Sequence, residues 1–359
     1  MFHLLLATCL ASDPATCAER LLPAADAPDP AACRARAEAV ARDWLARHPG
    51  LTGGATRCVP TVALPALPVT EIAPGVQFFQ GAAAQLSPAN QGRIANLSFV
   101  IGDSVAVIDA GGSRAEGEAL YAAIRARTDR PISHVILTHM HPDHILGAEV
   151  FAEAGARITA DARLPAAVAQ RAPTWMQSIP AQIGAQAFLG SAVAPVAIAV
   201  AGPTRIPLGS TTLTLLPQPI AHTGNDLMVQ DEASGVLFTG DLVFRGLTPA
   251  IDGSLSGWLD WIAAGPPAGL PPPRLPPPRL IVPGHGPVAT TWPEAVDPER
   301  RYLSALRDSA RQAVAAGMGL GEAIPAIVAM MRPLADGWAD YEPTTARNAA
   351  TAFSEAEWE

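Results

Sequence analysis

A chain of 359 residues with 49% hydrophobic side chains can build one large core plus additions, and its net charge of −9 argues against nucleic acid or an anionic membrane surface as a partner. No apolar run reaches the length of a membrane span, and the longest, 191–201, is Ala-rich and broken by Pro195. All 24 basic residues are Arg, which beside the many Ala and Pro reads as a coding bias without functional content.

Residues 1–60 hold all four cysteines, Cys9, Cys17, Cys33 and Cys58. Their gaps of 7, 15 and 24 residues contain no C-x-x-C pair, which speaks against a zinc finger. An even number in so short a segment suits two disulfides and an oxidising compartment, with three connectivities open. Residues 2–11 resemble the apolar region of a signal peptide, although the stretch is short and no Lys or Arg precedes it. Export to the periplasm is the expectation and the cytoplasm the alternative. A helix is expected from Asp29-Pro30 through Trp44 and Arg47, and the prolines of 60–68 read as a linker.

From Val69 onward short strands alternate with helices, the pattern of an α/β core. Strands are expected at 76–79, 95–102, 105–109, 132–137 and 156–160, with helices at 114–127, where Ser113 can cap, and from 148. Residues 165–203, with Pro173, Trp175, Pro180, Gly184 and Gly190, read as a loop or broken helix, either a substrate lid or a plain surface insertion. A strand from Arg205, one at 211–216 and a hairpin turning near 232–235 lead to Asp241. Trp258 and Trp261 suit core packing of a helix over 254–264. Residues 265–278, where Pro271-Pro272-Pro273-Arg274 is nearly repeated as Pro276-Pro277-Pro278-Arg279, read as a stiff connector. A strand at 280–286 precedes helices at 298–316 and 321–331 and a final helical layer.

Chemistry concentrates in His139-Met140-His141-Pro142-Asp143-His144, which directly follows the apolar strand. Imidazoles and a carboxylate suit zinc, and a strand-to-helix loop can aim several at one point. Three further metal-type residues, His222, Asp241 and His285, each follow a strand on a Gly-flanked turn. Five of the eight histidines are thereby used; His134 reads as a satisfied core histidine, and His3 and His48 as outside the site.

The order H-x-H-x-D-H, His, Asp, His resembles the metallo-β-lactamase superfamily of binuclear zinc hydrolases, and Val105-Ala106-Val107-Ile108-Asp109-Ala110-Gly111 is similar to a further motif of it. The resemblance covers about residues 69–300. It implies an αβ/βα sandwich of two mixed sheets with helices outside, flanked by the Cys-containing segment 1–60 and a C-terminal helical extension 301–359 packed on the catalytic domain. It also implies two Zn2+, with iron or manganese as alternatives. His139, His141 and His222 would hold the first ion and Asp143, His144 and His285 the second, with Asp241 bridging. Asp109 and Asp226 would orient ligand histidines or serve as plain turn caps.

The implied reaction is hydrolysis of a small thioester, ester or lactone by a zinc-bound hydroxide, with Asp143 and Asp241 indispensable to catalysis. Asp at 241 resembles glyoxalase-II-type hydrolases, while the main β-lactamase subclasses place Cys- or Ser-type residues there, so β-lactamase is the alternative. The Cys segment, 282–287, Arg301-Tyr302-Leu303 and 355–359 resemble the quinoprotein relay system zinc metallohydrolases, relatives of a sulfur-oxidation-cluster hydrolase. That finer resemblance implies association with a periplasmic quinoprotein dehydrogenase. A reading of another class is a metal-binding accessory protein for an oxidoreductase.

Overall fold

The computed structural model describes residues 1–267 and 275–359, so Pro271-Pro272-Pro273-Arg274 of the expected connector lies outside the described residues. The Cys-containing segment 1–60 has the expected helix and two disulfides, and adds a sheet to them. Its strands form an antiparallel sheet with β1 (Phe2–Leu10) between β2 (Cys17–Ala27) and β3 (Leu51–Pro60), covered on one face by α1 (Pro30–Arg47). The apolar run at 2–11 that resembled a leader is thus the central strand. Because side chains alternate along a strand, Leu4 and Leu6 enter a core with Ala37, Ala41 and Trp44 of α1, while Leu5 joins the core of the main body. Both faces are buried, so the strand is largely apolar, and its buried His3 and Thr8 are hydrogen-bonded. Disulfide Cys9–Cys17 ties β1 to β2, and Cys33–Cys58 ties α1 to β3.

The body is an αβ/βα sandwich. Its seven-stranded sheet runs in the order β10-β9-β8-β7-β6-β5-β4, built from β4 (Thr70–Ala73), β5 (Val76–Phe79), β6 (Leu97–Ile101), β7 (Val105–Ile108), β8 (Ile132–Leu137), β9 (Arg157–Asp161) and β10 (Ile198–Val200). The five-stranded sheet runs in chain order through β11 (Thr204–Pro207), β12 (Thr212–Pro217), β13 (Leu227–Asp231), β14 (Val236–Phe244) and β15 (Leu280–His285). Period-two alternation assembles the layers. Ala106, Ile108 and Ile136 face Leu213, Leu215, Val236 and Phe238 between the sheets. Val105, Val107 and Val135 point the other way, onto α2 (Arg114–Arg125), α4 (Ala148–Glu153) and α5 (Leu164–Ile183). The one-turn helices α3 (Pro142–Ile145) and α6 (Ala185–Phe188) complete that side. Leu216 and Leu237 pack under α7 (Leu255–Ala264), α8 (Trp292–Ala315), α9 (Leu320–Met331) and α10 (Tyr341–Ala356).

Two boundaries differ from expectation. The stretch read as a loop or broken helix is mostly α5, twenty residues long with Pro173 and Pro180 inside it. Its buried Leu164, Val168, Ile179 and Ile183 lie in the main core, and that packing overrides the helix-breaking prolines. Helix α8 starts at Trp292, ahead of the expected 298, because the Thr291 side chain accepts from Glu294 N and a proline occupies the first turn.

A buried ionic cluster joins the N-terminal sheet to the body. The Arg114 guanidinium donates to Glu118, Glu149, Glu153 and the Leu21 carbonyl and lies 4.8 Å from the Trp44 ring centroid. Burial alone would lower its pKa, but the three carboxylates hold it firmly protonated. His48, expected to lie outside the site, belongs to this cluster through Glu149 at 3.1 Å, and His3 pairs with Asp26 at 2.8 Å. His134 is a buried strand histidine bonded to Ser133 and Arg157.

Candidate metal centre

The seven residues singled out in the sequence come together at the ends of β8, β14 and β15 and on the turn after β12. Strand β8 delivers His139, and the turn entering α3 adds His141, Asp143 and His144. Gly147 is required here, because a side chain on it would run into the Ala110 carbonyl. On the facing sheet, a Cβ at Gly284 would occupy the place of the Asp241 carboxylate.

Two adjoining groups result. His139 Nε2 and His222 Nε2 each lie 3.0 Å from His141 Nδ1, and Asp241 Oδ2 is 3.6 and 3.5 Å from His139 and His222. In the second group His144 Nε2 and His285 Nε2 lie 3.5 and 3.4 Å from Asp143 Oδ2. Asp241 reaches this group as well, at 3.2 Å from His144 and 3.3 Å from His285. It is the one side chain shared by both. Most of the cluster is sealed; His141 and Asp143 are partly exposed and mark the opening to solvent.

The outward ring nitrogens fix the tautomers. His222 Nδ1 meets the Ala250 carbonyl at 2.7 Å and His285 Nδ1 the Ile94 carbonyl at 2.9 Å, and a carbonyl can only accept. His144 Nδ1 meets Asp109 Oδ2 at 2.7 Å, and His141 Nε2 meets Asp252 Oδ2 at 3.1 Å. Thr138 Oγ1 donates to Asp109, so it accepts from His139 Nδ1. Each outward ring nitrogen is therefore a donor, and the inward nitrogen carries a lone pair wherever the ring is neutral. Where these lone pairs meet at 3.0 Å with no proton between them, they repel unless a cation sits among them. The buried His144 Nε2 and Asp241 Oδ1 have no hydrogen-bond partner, which is costly for polar atoms out of water. The residues fit divalent cations, with His139, His141, His222 and Asp241 in one group and Asp143, His144 and His285 in the other.

Electrostatics agree with that assignment. Burial and the neighbouring rings hold His139 well below the usual imidazole range and His222 at about 3. Burial would do the same to His144 and His285, but the Asp241 and Asp143 carboxylates lift His144 well above its ordinary value and His285 to about 9. Against their burial, those charged rings hold Asp143 down to about 2 and Asp241 well below its usual range. Protons and metal ions therefore compete for the same atoms.

The two expected outer acceptors behave differently. Asp109 sits at the end of β7 with φ of 58° and binds Thr138 N, Thr138 Oγ1 and His144 Nδ1. A left-handed backbone at a non-glycine costs about 1–3 kcal/mol, which those three bonds offset. Asp226 touches no ligand histidine. Its carboxyl, pushed up to about 7 by burial, accepts from Thr223 N and Oγ1 and so caps the turn that carries His222. Sequence reasoning missed Asp252. Lying just before α7 it looks like an ordinary turn residue, and its partner His141 is 111 positions away. Its other oxygen accepts from Arg171 of α5 at 2.7 Å, so α5 borders the mouth of the centre.

A family model described as the metallo-beta-lactamase superfamily matches residues 91–285. Among solved structures, the chain is similar to a beta-lactamase domain protein from Burkholderia ambifaria, with 20% identity over 81% of this chain and 87% of that one, TM-score 0.56. It is similar to the stereoselective inverting sec-alkylsulfatase Pisa1 from Pseudomonas sp., with 19% identity and TM-score 0.56 over 80% of this chain but 50% of that one. The metallo-beta-lactamase from Pontibacter korlensis matches with 18% identity and TM-score 0.51 over 66% of this chain and 99% of that one. At such identities the likeness is one of fold. No curated protein matches by sequence.

Proposed function

Given that the chain belongs to the metallo-β-lactamase superfamily, we propose that it is a binuclear zinc hydrolase acting on a small thioester, ester or lactone. The observation that carries this reading is the position of Asp241 between two adjoining groups whose ring nitrogens and carboxylates converge on it. Mixed imidazole and carboxylate donors suit zinc. When bound, such ions polarise a carbonyl and bring the pKa of a coordinated water to about 7. The chain's own part is to hold geometry and charge. Asp109, Asp252 and the Ala250 and Ile94 carbonyls fix the histidine rings, and Asp241 spans the pair. Asp143, held ionised and partly open to solvent, would be one of the residues that hold an ion of the second group.

The finer resemblance of 282–287, 301–303 and 355–359 extends the reading to a periplasmic hydrolase accompanying a quinoprotein dehydrogenase. The two disulfides suit an oxidising compartment. Among the described residues no helix is long and apolar enough to cross a membrane. The test is turnover by the zinc-loaded protein on matched panels of thioesters, esters, lactones and β-lactams. Hydrolysis of an acyl thioester, ester or lactone is expected. Turnover confined to β-lactams would move the reading to a β-lactamase, and a loaded protein inert on every panel would favour a metal-binding accessory role.

A further inference from the structure

Two of the five histidines take their outer hydrogen bonds from one short stretch of chain. Ala250 O receives His222 Nδ1, and Asp252 receives His141 Nε2; Asp252 N in turn donates to His222 O at 3.0 Å. Residues 249–252, between β14 and α7, have no regular structure of their own that would fix these acceptors. The C-terminal part of the chain does so. Thr248 N and Oγ1 both donate to Ala339 O, at 3.1 and 2.7 Å. The Glu355 carboxylate accepts from Leu255 N and Ser256 N at the start of α7. Between these anchors Asn348 of α10, only 2% exposed, uses both ends of its amide. Oδ1 accepts from Ile251 N at 3.0 Å, and Nδ2 donates to Pro249 O at 2.7 Å. The two residues it grips are the immediate neighbours of Ala250.

We propose that Asn348 is a positioning residue of the metal centre, through which α10 sets the acceptors presented to His222 and His141. The proposal rests on the reading that the cluster binds metal. The residue type suits the chemistry, since the stretch presents one donor and one acceptor to the same side chain and an amide supplies the complement of both from two separate atoms. An aspartate would face the Pro249 carbonyl with another acceptor, and a leucine would strand both backbone groups. Ile251 N can only donate and Pro249 O only accept, which sets the orientation of the amide, and Nδ2 also donates to Tyr302 OH at 2.9 Å. The second donor group supplies an internal control, because His144 and His285 are held by Asp109 and Ile94, which Asn348 does not touch.

The experiment measures stepwise zinc affinity by competition with a chromophoric chelator, and the electronic spectrum after cobalt substitution, on the full chain. Wild type is compared with Asn348→Asp, Asn348→Leu and Tyr341→Phe. Tyr341 packs on Tyr302 but donates its hydroxyl to Met331 O and to neither Asn348 nor 249–252, so its variant controls for general loss of stability in that layer. Loss of an outer partner of a ligand histidine costs about 10–100-fold in metal affinity. One of the two binding steps should weaken by about tenfold in both Asn348 variants, with altered cobalt bands, while the other step and Tyr341→Phe stay within about twofold of wild type. Asn348 variants that melt earlier yet keep both affinities and the cobalt spectrum would overturn the proposal. Should Asn348→Leu not fold, the near-isosteric Asn348→Asp decides alone. A wild-type chain that binds no zinc would instead sink the metal reading on which the proposal stands.

Discussion

Arg114, where the N-terminal sheet meets the body, is buried, and so are His139, His144, His222, His285 and Asp241 of the second cluster. The two places solve opposite problems. Around Arg114 the sequence supplies both signs of charge, and the guanidinium meets oxygens of Glu118, Glu149, Glu153 and Leu21. Around Asp241 it supplies five imidazoles, whose outward nitrogens are already committed to partners, and two carboxylates. A buried charge cluster that balances itself is structure. One whose ring nitrogens and carboxylates converge on a common centre could hold a cation. The unpartnered His144 Nε2 and Asp241 Oδ1 mark that difference atom by atom.

The comparison breaks most sharply at the shared carboxylate. Asp241→Ala should lower turnover about a thousandfold or more, since several kcal/mol of transition-state stabilisation depend on the paired ions, and elemental analysis should show metal lost from the chain. At the balanced cluster the opposite division is expected. Arg114→Met leaves buried carboxylates unpaired and should cost about 3–5 kcal/mol in urea unfolding, while the metal content of the folded protein is unchanged. Asp252→Ala removes the acceptor of His141 alone, so metal affinity in a chelator competition should fall by about 10–100-fold with little change in urea midpoint.

The smallest effect concerns His134, which burial and the adjacent Arg157 push down to about 4 in the folded chain. Its unfolded value lies near 6.5, so between those values the unfolded chain takes up a proton that the folded one refuses. Its contribution to stability is complete above pH 6.5 and is lost as pH falls toward 4. His134→Gln should flatten the pH dependence of the urea midpoint across that window relative to wild type; parallel curves would show that the ring does not titrate as described.

Much of the centre was legible because its ligands are chemically distinctive residues placed directly after apolar strands. His139, His141, Asp143 and His144 announce themselves within six positions, and Asp241 and His285 sit beside glycines at apolar runs that the fold makes into β14 and β15, with His222 on the turn after β12. The alternation that builds the sandwich could also be read, as in Val105 to Ile108. Partners made by distance could not. Asp252 and Asn348 look like any turn or helix polar residue until the fold brings them to His141 and to the backbone beside Ala250. Strand β1 misled for a related reason. A run buried on both faces shows no alternation, so its apolar pattern equals that of a leader. In α5 the prolines spoke for a break, and the packing of Val168, Ile179 and Ile183 prevailed. Asp226 lies near His222 in sequence, yet the turn's own Thr223 claims its carboxylate.

The central claim is that the seven side chains form two metal positions joined by Asp241. Equilibrium dialysis of the full chain against zinc, followed by elemental analysis, tests it most directly. Two zinc ions per wild-type chain are predicted, falling to one when Asp143 and His285 are both replaced by Ala. A wild-type chain that takes up no zinc, or a double variant that still holds two ions, would contradict the account.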